Sequence, residues 1–292
     1  MSSLTSATPS TSATCASKRC CGSRSTGAAS TPTRTRESWR RAPRPELVSS
    51  FAIDSLPESA ARYRDTHALA VVDVFRATTC IVTALAGGHA VYPVGNLAEA
   101  FMQAARLRNA LLAGEQDGTV PKDFDHDNSP AALSKLDGAS PVVLLTSAGT
   151  LLLTNCRGAS AIYVACLRNL SATAARLGAH DRVALIGAGT RGKPRPEDQL
   201  VCAWMGERLL TAGYEPENEG TMRELEAWRG ADIDVVRQSP SADYLRGTGR
   251  DEDIEFVLSH VDDIPEVAVY NGQQVSLLSS TGFGEVAAGL PT

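Results

Sequence analysis

Asp73 and Arg76 stand three residues apart where the apolar run Ala68–Val74 closes, in the stretch Val71-Val-Asp-Val-Phe-Arg-Ala-Thr-Thr79. Such a run reads as a short buried strand, and Ala77 onward reads as the start of a helix. A carboxylate at the carboxyl end of a strand in an open α/β sheet lies where such sheets bind ligands. Burying a carboxylate and a guanidinium is costly unless something meets them. The pair therefore suits a metal ion, an anion, or a structural ion pair between the two side chains.

The theme recurs along the chain. Glu115, Asp125, Glu197 and Asp198 each fall in a loop or at the end of an element. Carboxylates with waters are what Mg²⁺ takes, usually one or two from the protein, with substrate phosphate completing the shell. Arg76, Arg191 and Lys193, together with backbone N–H groups at helix starts, would neutralise an anionic substrate. The pattern points to a Mg²⁺ site acting on a phosphorylated small molecule.

Three other patterns fail on physical grounds. Gly187-Ala-Gly-Thr-Arg-Gly192 matches a dinucleotide fingerprint, but Lys193-Pro-Arg-Pro196 follows it, and two prolines forbid the uninterrupted helix that would meet a pyrophosphate. Asp123-Phe-Asp-His-Asp-Asn128 opens like a calcium loop, yet its sixth position is Asn128 and its twelfth Ser134, where Gly and Glu are required. No Gly-x-Ser-x-Gly elbow exists, and none of the five histidines sits beside a nucleophile in sequence.

The elements that must position these residues alternate between strand and helix from Leu47 onward, the signature of a three-layer α/β/α domain with a mostly parallel or mixed sheet. Strands are expected at Ala68–Val74, Ala90–Val94, Val142–Leu145, Ala161–Val164, Val183–Ile186 and Val267–Tyr270, with Leu111–Ala113 either a helix end or a short strand. Helices are expected at Ala77–Ala86, after the caps Asn96 and Asn169, over Leu151–Cys156, and from Pro196 to Gly213. Residues 47–271 form the predicted domain, and 272–292 read as an irregular tail.

Composition bounds the rest. Of 28 basic and 33 acidic residues, the first 46 positions hold eight basic and two acidic, which leaves 20 basic and 31 acidic beyond them, a net charge of −11. An acidic body argues against a nucleic-acid surface, and no apolar run reaches the roughly 20 residues that span a bilayer. The leading 46 residues, rich in Ser, Thr, Ala and Arg, read as a disordered or mis-extended tail. The seven cysteines show no zinc or disulfide spacing. They suit a cytoplasmic protein whose partner is a small molecule, with a homo-oligomer compatible.

Taken in order, Val71-Val-Asp73-Val-Phe-Arg76-Ala-Thr-Thr, Ala113-Gly-Glu115, Phe124-Asp125-x-x-Asn128-Ser129-Pro130, Thr146-x-x-Gly149-Thr150, Asn169 and Ala188-Gly-x-x-Gly-x-x-x-x-Glu197-Asp198, with Ser239, Leu245, Gly249 and Asp253 beyond, resemble the 2-phosphosulfolactate phosphatase (ComB) family over about Leu47 to Tyr270. The resemblance implies Mg²⁺-dependent hydrolysis of 2-phospho-3-sulfolactate to sulfolactate and phosphate, a step toward coenzyme M. It implies Asp73, Glu115, Asp125 and Asp198 as metal ligands, with Glu197 a further candidate. Arg76, Asn128, Ser129, Thr146 and Asn169 would hold the substrate, with Arg191, and Asp125 would take a proton. The family usually has glycines where this chain has Asp123 and Asp127, and Asn where it has Ala148. The alternatives are a phosphatase of another phosphorylated hydroxy acid and a catalytically weak anion-binding protein that keeps the fold.

Overall fold

The computed structural model describes residues 48–278; the expectation for residues 1–46 lies outside the described residues. Ten strands among them form one mixed sheet. They are β1 (Ser50–Ser55), β2 (Ala68–Val72), β3 (Val91–Val94), β4 (Leu111–Gly114), β5 (Val142–Leu145), β6 (Ile162–Ala165), β7 (Arg182–Gly187), β8 (Glu215–Pro216), β9 (Val267–Tyr270) and β10 (Val275–Leu278). Their spatial order is β4-β5-β3-β10-β9-β6-β2-β7-β1-β8. A parallel block β6-β2-β7-β1-β8 and a second parallel block β4-β5-β3 are joined through the antiparallel β9–β10 pair.

The apolar runs are continuous because both faces of the sheet are covered. On β2, Leu69 and Val71 pack with Cys80, Ile81 and Ala84 of the helix Ala77–Ala86 and with Leu152 and Leu153 of the helix Gly149–Asn155. Ala68, Ala70 and Val72 face the other way, onto Leu170 and Leu177 of the helix Leu170–Leu177 and onto Leu200, Val201 and Met205 of the helix Pro196–Thr211. Helices on both sides give the three-layer α/β/α arrangement. Each large side chain so buried stabilises the fold by about 1.5–3 kcal/mol.

Local signals explain several boundaries. Asn96 caps the helix Leu97–Arg106 by accepting from the Glu99 amide at 2.9 Å, as its sequence predicts. Residues 77–85 are all buried, so the helix after β2 is a core helix without a polar face. It ends at Gly87-Gly88, where Gly88 takes φ +87.

Three strands escape the sequence reading, the two-residue β8 among them. β1, Ser-Phe-Ala-Ile-Asp-Ser, buries Phe51, Ala52 and Ile53 between β7 and β8; its polar ends hide the short apolar centre. The expected irregular tail after Asn271 instead contains β10. The Asn271 side chain accepts from the amides of Gln273 and Gln274 and turns the chain back onto β9.

Candidate active site

Loops at the carboxyl ends of β2, β4, β5 and β7 meet around one cavity of about 370 Å³, closed on the remaining side by the helix Pro240–Gly247. The two parallel blocks thus bring their strand ends to a common place, as ligand sites in α/β sheets require. How tightly they meet is visible at Gly149: a Cβ there would lie 2.4 Å from the Ala77 Cβ and 2.5 Å from Asp73 Oδ2.

Asp73 lines the cavity and is 7% exposed. Its Oδ1 accepts from the Ala77 amide at 3.2 Å, so the carboxylate sits at the start of a helix, where negative charge is favoured. Burial nonetheless pushes its carboxyl up to about 7, with the charges of Glu115 and Glu197 adding to the effect. Glu115 lines the cavity from β4 and is clasped by donors: Ser147 N and Oγ at 2.7 and 3.0 Å, and Gly118 N at 2.6 Å.

Glu197 and Asp198, in the first turn of the helix after β7, are buried. Asp198 braces two strand-end loops, its oxygens accepting from Val74 N at 2.8 Å and Gly189 N at 3.1 Å. Burial raises the carboxyl of Asp198 well above its usual range, and Asp73 and Glu197 raise it further. Glu197 is raised by burial against the pull of Ser241, Ser239 and Arg195, and its Oε2 is buried without a hydrogen-bond partner. Three buried carboxylates that repel one another, with an oxygen left open, form the kind of environment a divalent cation relieves. Among the described residues no group of three or more His, Cys, Asp or Glu is placed to hold a metal ion together; Mg²⁺ needs only one or two carboxylates and keeps its waters. The donor set fits such an ion.

Asp125 is placed elsewhere. The loop after β4 returns alongside that strand, with Asp125 N donating to Leu112 O and Leu112 N donating to Asp125 Oδ2, both at 2.8 Å. The side chain is exposed and outside the cavity lining. Asn169 is also redirected. It is fully buried beneath the end of β6, where Nδ2 donates to Val164 O and Oδ1 accepts from Cys166 N, both at 3.0 Å. Both bonds hold the turn after β6. Ser129 caps the short helix Pro130–Leu133, accepting from Ala132 N, and donates to Asp253.

Asn128, Thr146 and Arg191 do line the cavity. Asn128 is 4% exposed, and its Oδ1 is buried without a partner. Thr146 and Thr150 exchange backbone and hydroxyl bonds, N to Oγ1 each way, at 2.9 and 3.0 Å. That exchange orders the turn where Ala148 offers no capping side chain. Asp123 takes φ +68, the left-handed backbone that Asp tolerates better than most residues.

Arg76 reaches the cavity, but acids hold its guanidinium. Nη1 and Nη2 donate to Asp127 at 3.1 and 3.2 Å, and Nη1 donates to Asp253 at 2.8 Å. Arg250 Nε closes the group on Asp127 at 2.6 Å. Arg250 and Arg195 were not singled out by type and spacing, and Asp127 only as a departure from the family's usual glycine. Arg195 lines the cavity one residue before the helix Pro196–Thr211; its placement just ahead of Pro196 at a helix start was the available signal.

The sequence model of the family described as 2-phosphosulpholactate phosphatase matches residues 54–273. A protein of Pseudothermotoga lettingae named probable 2-phosphosulfolactate phosphatase is 40% identical over 149 residues, 51% of this chain and 63% of that one. One of the same name from Thermotoga petrophila is 33% identical over 189 residues, 64% of this chain and 82% of its own. A third, from Clostridium beijerinckii, is 28% identical over 226 residues, covering 74% and 94%. The chain therefore spans a little under two thirds of the first relative and most of the other two.

Proposed function

The chain belongs to the 2-phosphosulpholactate phosphatase family, and on that premise we propose that it hydrolyses 2-phospho-3-sulfolactate to 3-sulfolactate and phosphate with the help of Mg²⁺. The observation that carries the reading is a single cavity lined by two carboxylates, Asp73 and Glu115, and two arginines, Arg191 and Arg195. Four free, buried cysteines among the described residues suit a reducing compartment, and we place the reaction in the cytoplasm as a step toward coenzyme M. No helix among the described residues is long and apolar enough to cross a membrane.

Asp73 and Glu115 would hold the cation, with Glu197 and Asp198 behind Asp73. When bound, a divalent cation supplies polarisation of a phosphoryl oxygen and a water of lowered pKa. The chain's own residues do the rest. Asn128, which lines the cavity, contacts the bound ester through its Nδ2 donor. Arg191 neutralises anionic oxygens. With Asp125 turned away, we assign the proton of the attacking water to Glu197, whose carboxyl burial raises and which Ser241, a residue lining the cavity, draws down. A carboxyl raised by burial suits that general-base work near neutral pH.

A second reading, a phosphatase of another phosphorylated hydroxy acid, draws on Asp127, which occupies the guanidinium of Arg76. Phosphate release from 2-phosphosulfolactate, 2-phospholactate and phosphoglycolate, with and without Mg²⁺, decides between them. Highest kcat/KM on 2-phosphosulfolactate supports the first reading, and a preference for either other ester supports the second. No release from any of the three contradicts both.

A further inference from the structure

Arg76 is the arginine nearest Asp73 in sequence, yet it brings no net charge to the cavity. With Arg250, Asp127 and Asp253 it forms a group of two positive and two negative side chains. The positive charge on offer to an anion lies on the segment between β7 and the helix Pro196–Thr211. There Thr190 and Lys193 exchange N–H to O bonds at 2.9 and 3.1 Å, closing a two-residue turn. Arg191 and Gly192 both take positive φ, +51 and +70, the backbone of a tight hairpin turn.

The exit of the turn is hydrogen-bonded as well. The Arg195 carbonyl accepts from the amides of Asp198 and Gln199 at 3.1 and 3.0 Å, and Pro196 fixes the following residue. Both arginine side chains line the cavity. Neither forms an ion pair among the described residues, and Arg195 Nε is buried without a hydrogen-bond partner. A buried guanidinium N–H left unmet is costly unless a ligand meets it, and a planar guanidinium fork is matched to carboxylate, sulfonate or phosphate oxygens.

We infer that Arg195, supported by Arg191 at the turn tip, binds the sulfonate of the substrate, one of its two acid groups that are not hydrolysed. The phosphate then lies toward Asp73 and Glu115 and the sulfonate toward Arg195, which sets this ester apart from one whose only other acid group is a carboxylate. The inference rests on reading the cavity as a phosphoester site. It makes Arg195 a specificity-determining residue and Arg76 a positioning one.

The test compares wild type with Arg195→Gln and Arg195→Lys on 2-phosphosulfolactate and on 2-phospholactate, which lacks the sulfonate, alongside calorimetric binding of 3-sulfolactate. Arg195→Gln should raise KM for the sulfonated ester about tenfold or more while changing KM for 2-phospholactate less than about twofold. Arg195→Lys should fall between the two. Thermal unfolding of each variant reports that it is folded. Equal penalties on both esters, or unchanged 3-sulfolactate binding in Arg195→Gln, would overturn the assignment. If wild type turned over neither ester but bound 3-sulfolactate through Arg195, the binding assignment would stand while the phosphatase reading failed.

Discussion

Asp127 holds Arg76 through two nearly equal hydrogen bonds, 3.1 and 3.2 Å, and thereby fastens the loop after β4 to the residue that opens the helix after β2. The pair is linked by Arg250 and Asp253 to the helix Asp251–Ser259. Breaking a buried ion pair from one side leaves the other charge uncompensated. Asp127→Ala should lower unfolding free energy by about 1–3 kcal/mol, since Asp253 still meets Arg76. Urea unfolding at neutral pH measures it, and a change within about 0.5 kcal/mol would show the clasp to be idle.

The same contact sets a pH dependence. Burial alone would raise the Asp127 carboxyl, but Arg76 and Arg250 outweigh it and hold the group below its ordinary value. A carboxyl with a depressed folded-state pKa stabilises fully above its unfolded value of about 3.9 and loses that contribution as pH falls through the folded one. Wild type should therefore lose more urea resistance than Asp127→Ala as pH drops below about 4. Parallel acid profiles for the two proteins would count against the contact.

Close packing at the strand ends predicts a graded glycine series. A Cβ at Gly114 would lie 1.9 Å from the Leu145 backbone oxygen, on a residue with φ +142. Gly114→Ala should cost about 3 kcal/mol or more, if it folds at all. At Gly149 the neighbours are side chains, so Gly149→Ala should cost about 1–3 kcal/mol and displace Asp73, with kcat falling further than stability accounts for. Retained kcat in a folded Gly149→Ala protein would mean that Asp73 is not held where the chemistry occurs.

Asn169 offers a contrast. Its two hydrogen bonds, to Val164 O and from Cys166 N, are structural, so Asn169→Ala should cost about 1–3 kcal/mol of stability while leaving KM within about twofold. A large rise in KM in the folded variant would restore it to the substrate site.

What was legible in the sequence follows from how local each cause is. The core strands and the helix at Ala77–Ala86 announce themselves because a doubly covered strand must be continuously apolar. Asp73 was visible as the polar break at the end of one, and Glu115, Glu197 and Asp198 as acids at element ends. Asp125 and Asn169 carry the same local signature and yet point elsewhere. What separates them is where a loop doubles back: Asp125 pairs with Leu112, thirteen residues away. The neutralisation of Arg76 joins residues 51 and 177 positions apart, a distance over which spacing in sequence says nothing. Arg195 lay inside a segment read chiefly as a broken nucleotide fingerprint.

The most direct measurement is phosphate release from 2-phosphosulfolactate by wild type and Asp73→Asn, each with Mg²⁺ and after chelation, alongside thermal unfolding of both. Wild type should turn over with Mg²⁺ and lose activity on chelation. Asp73→Asn should be folded and at least about 100-fold slower under both conditions. A folded Asp73→Asn protein that keeps wild-type turnover, or wild-type turnover indifferent to chelation, would contradict the site at the end of β2.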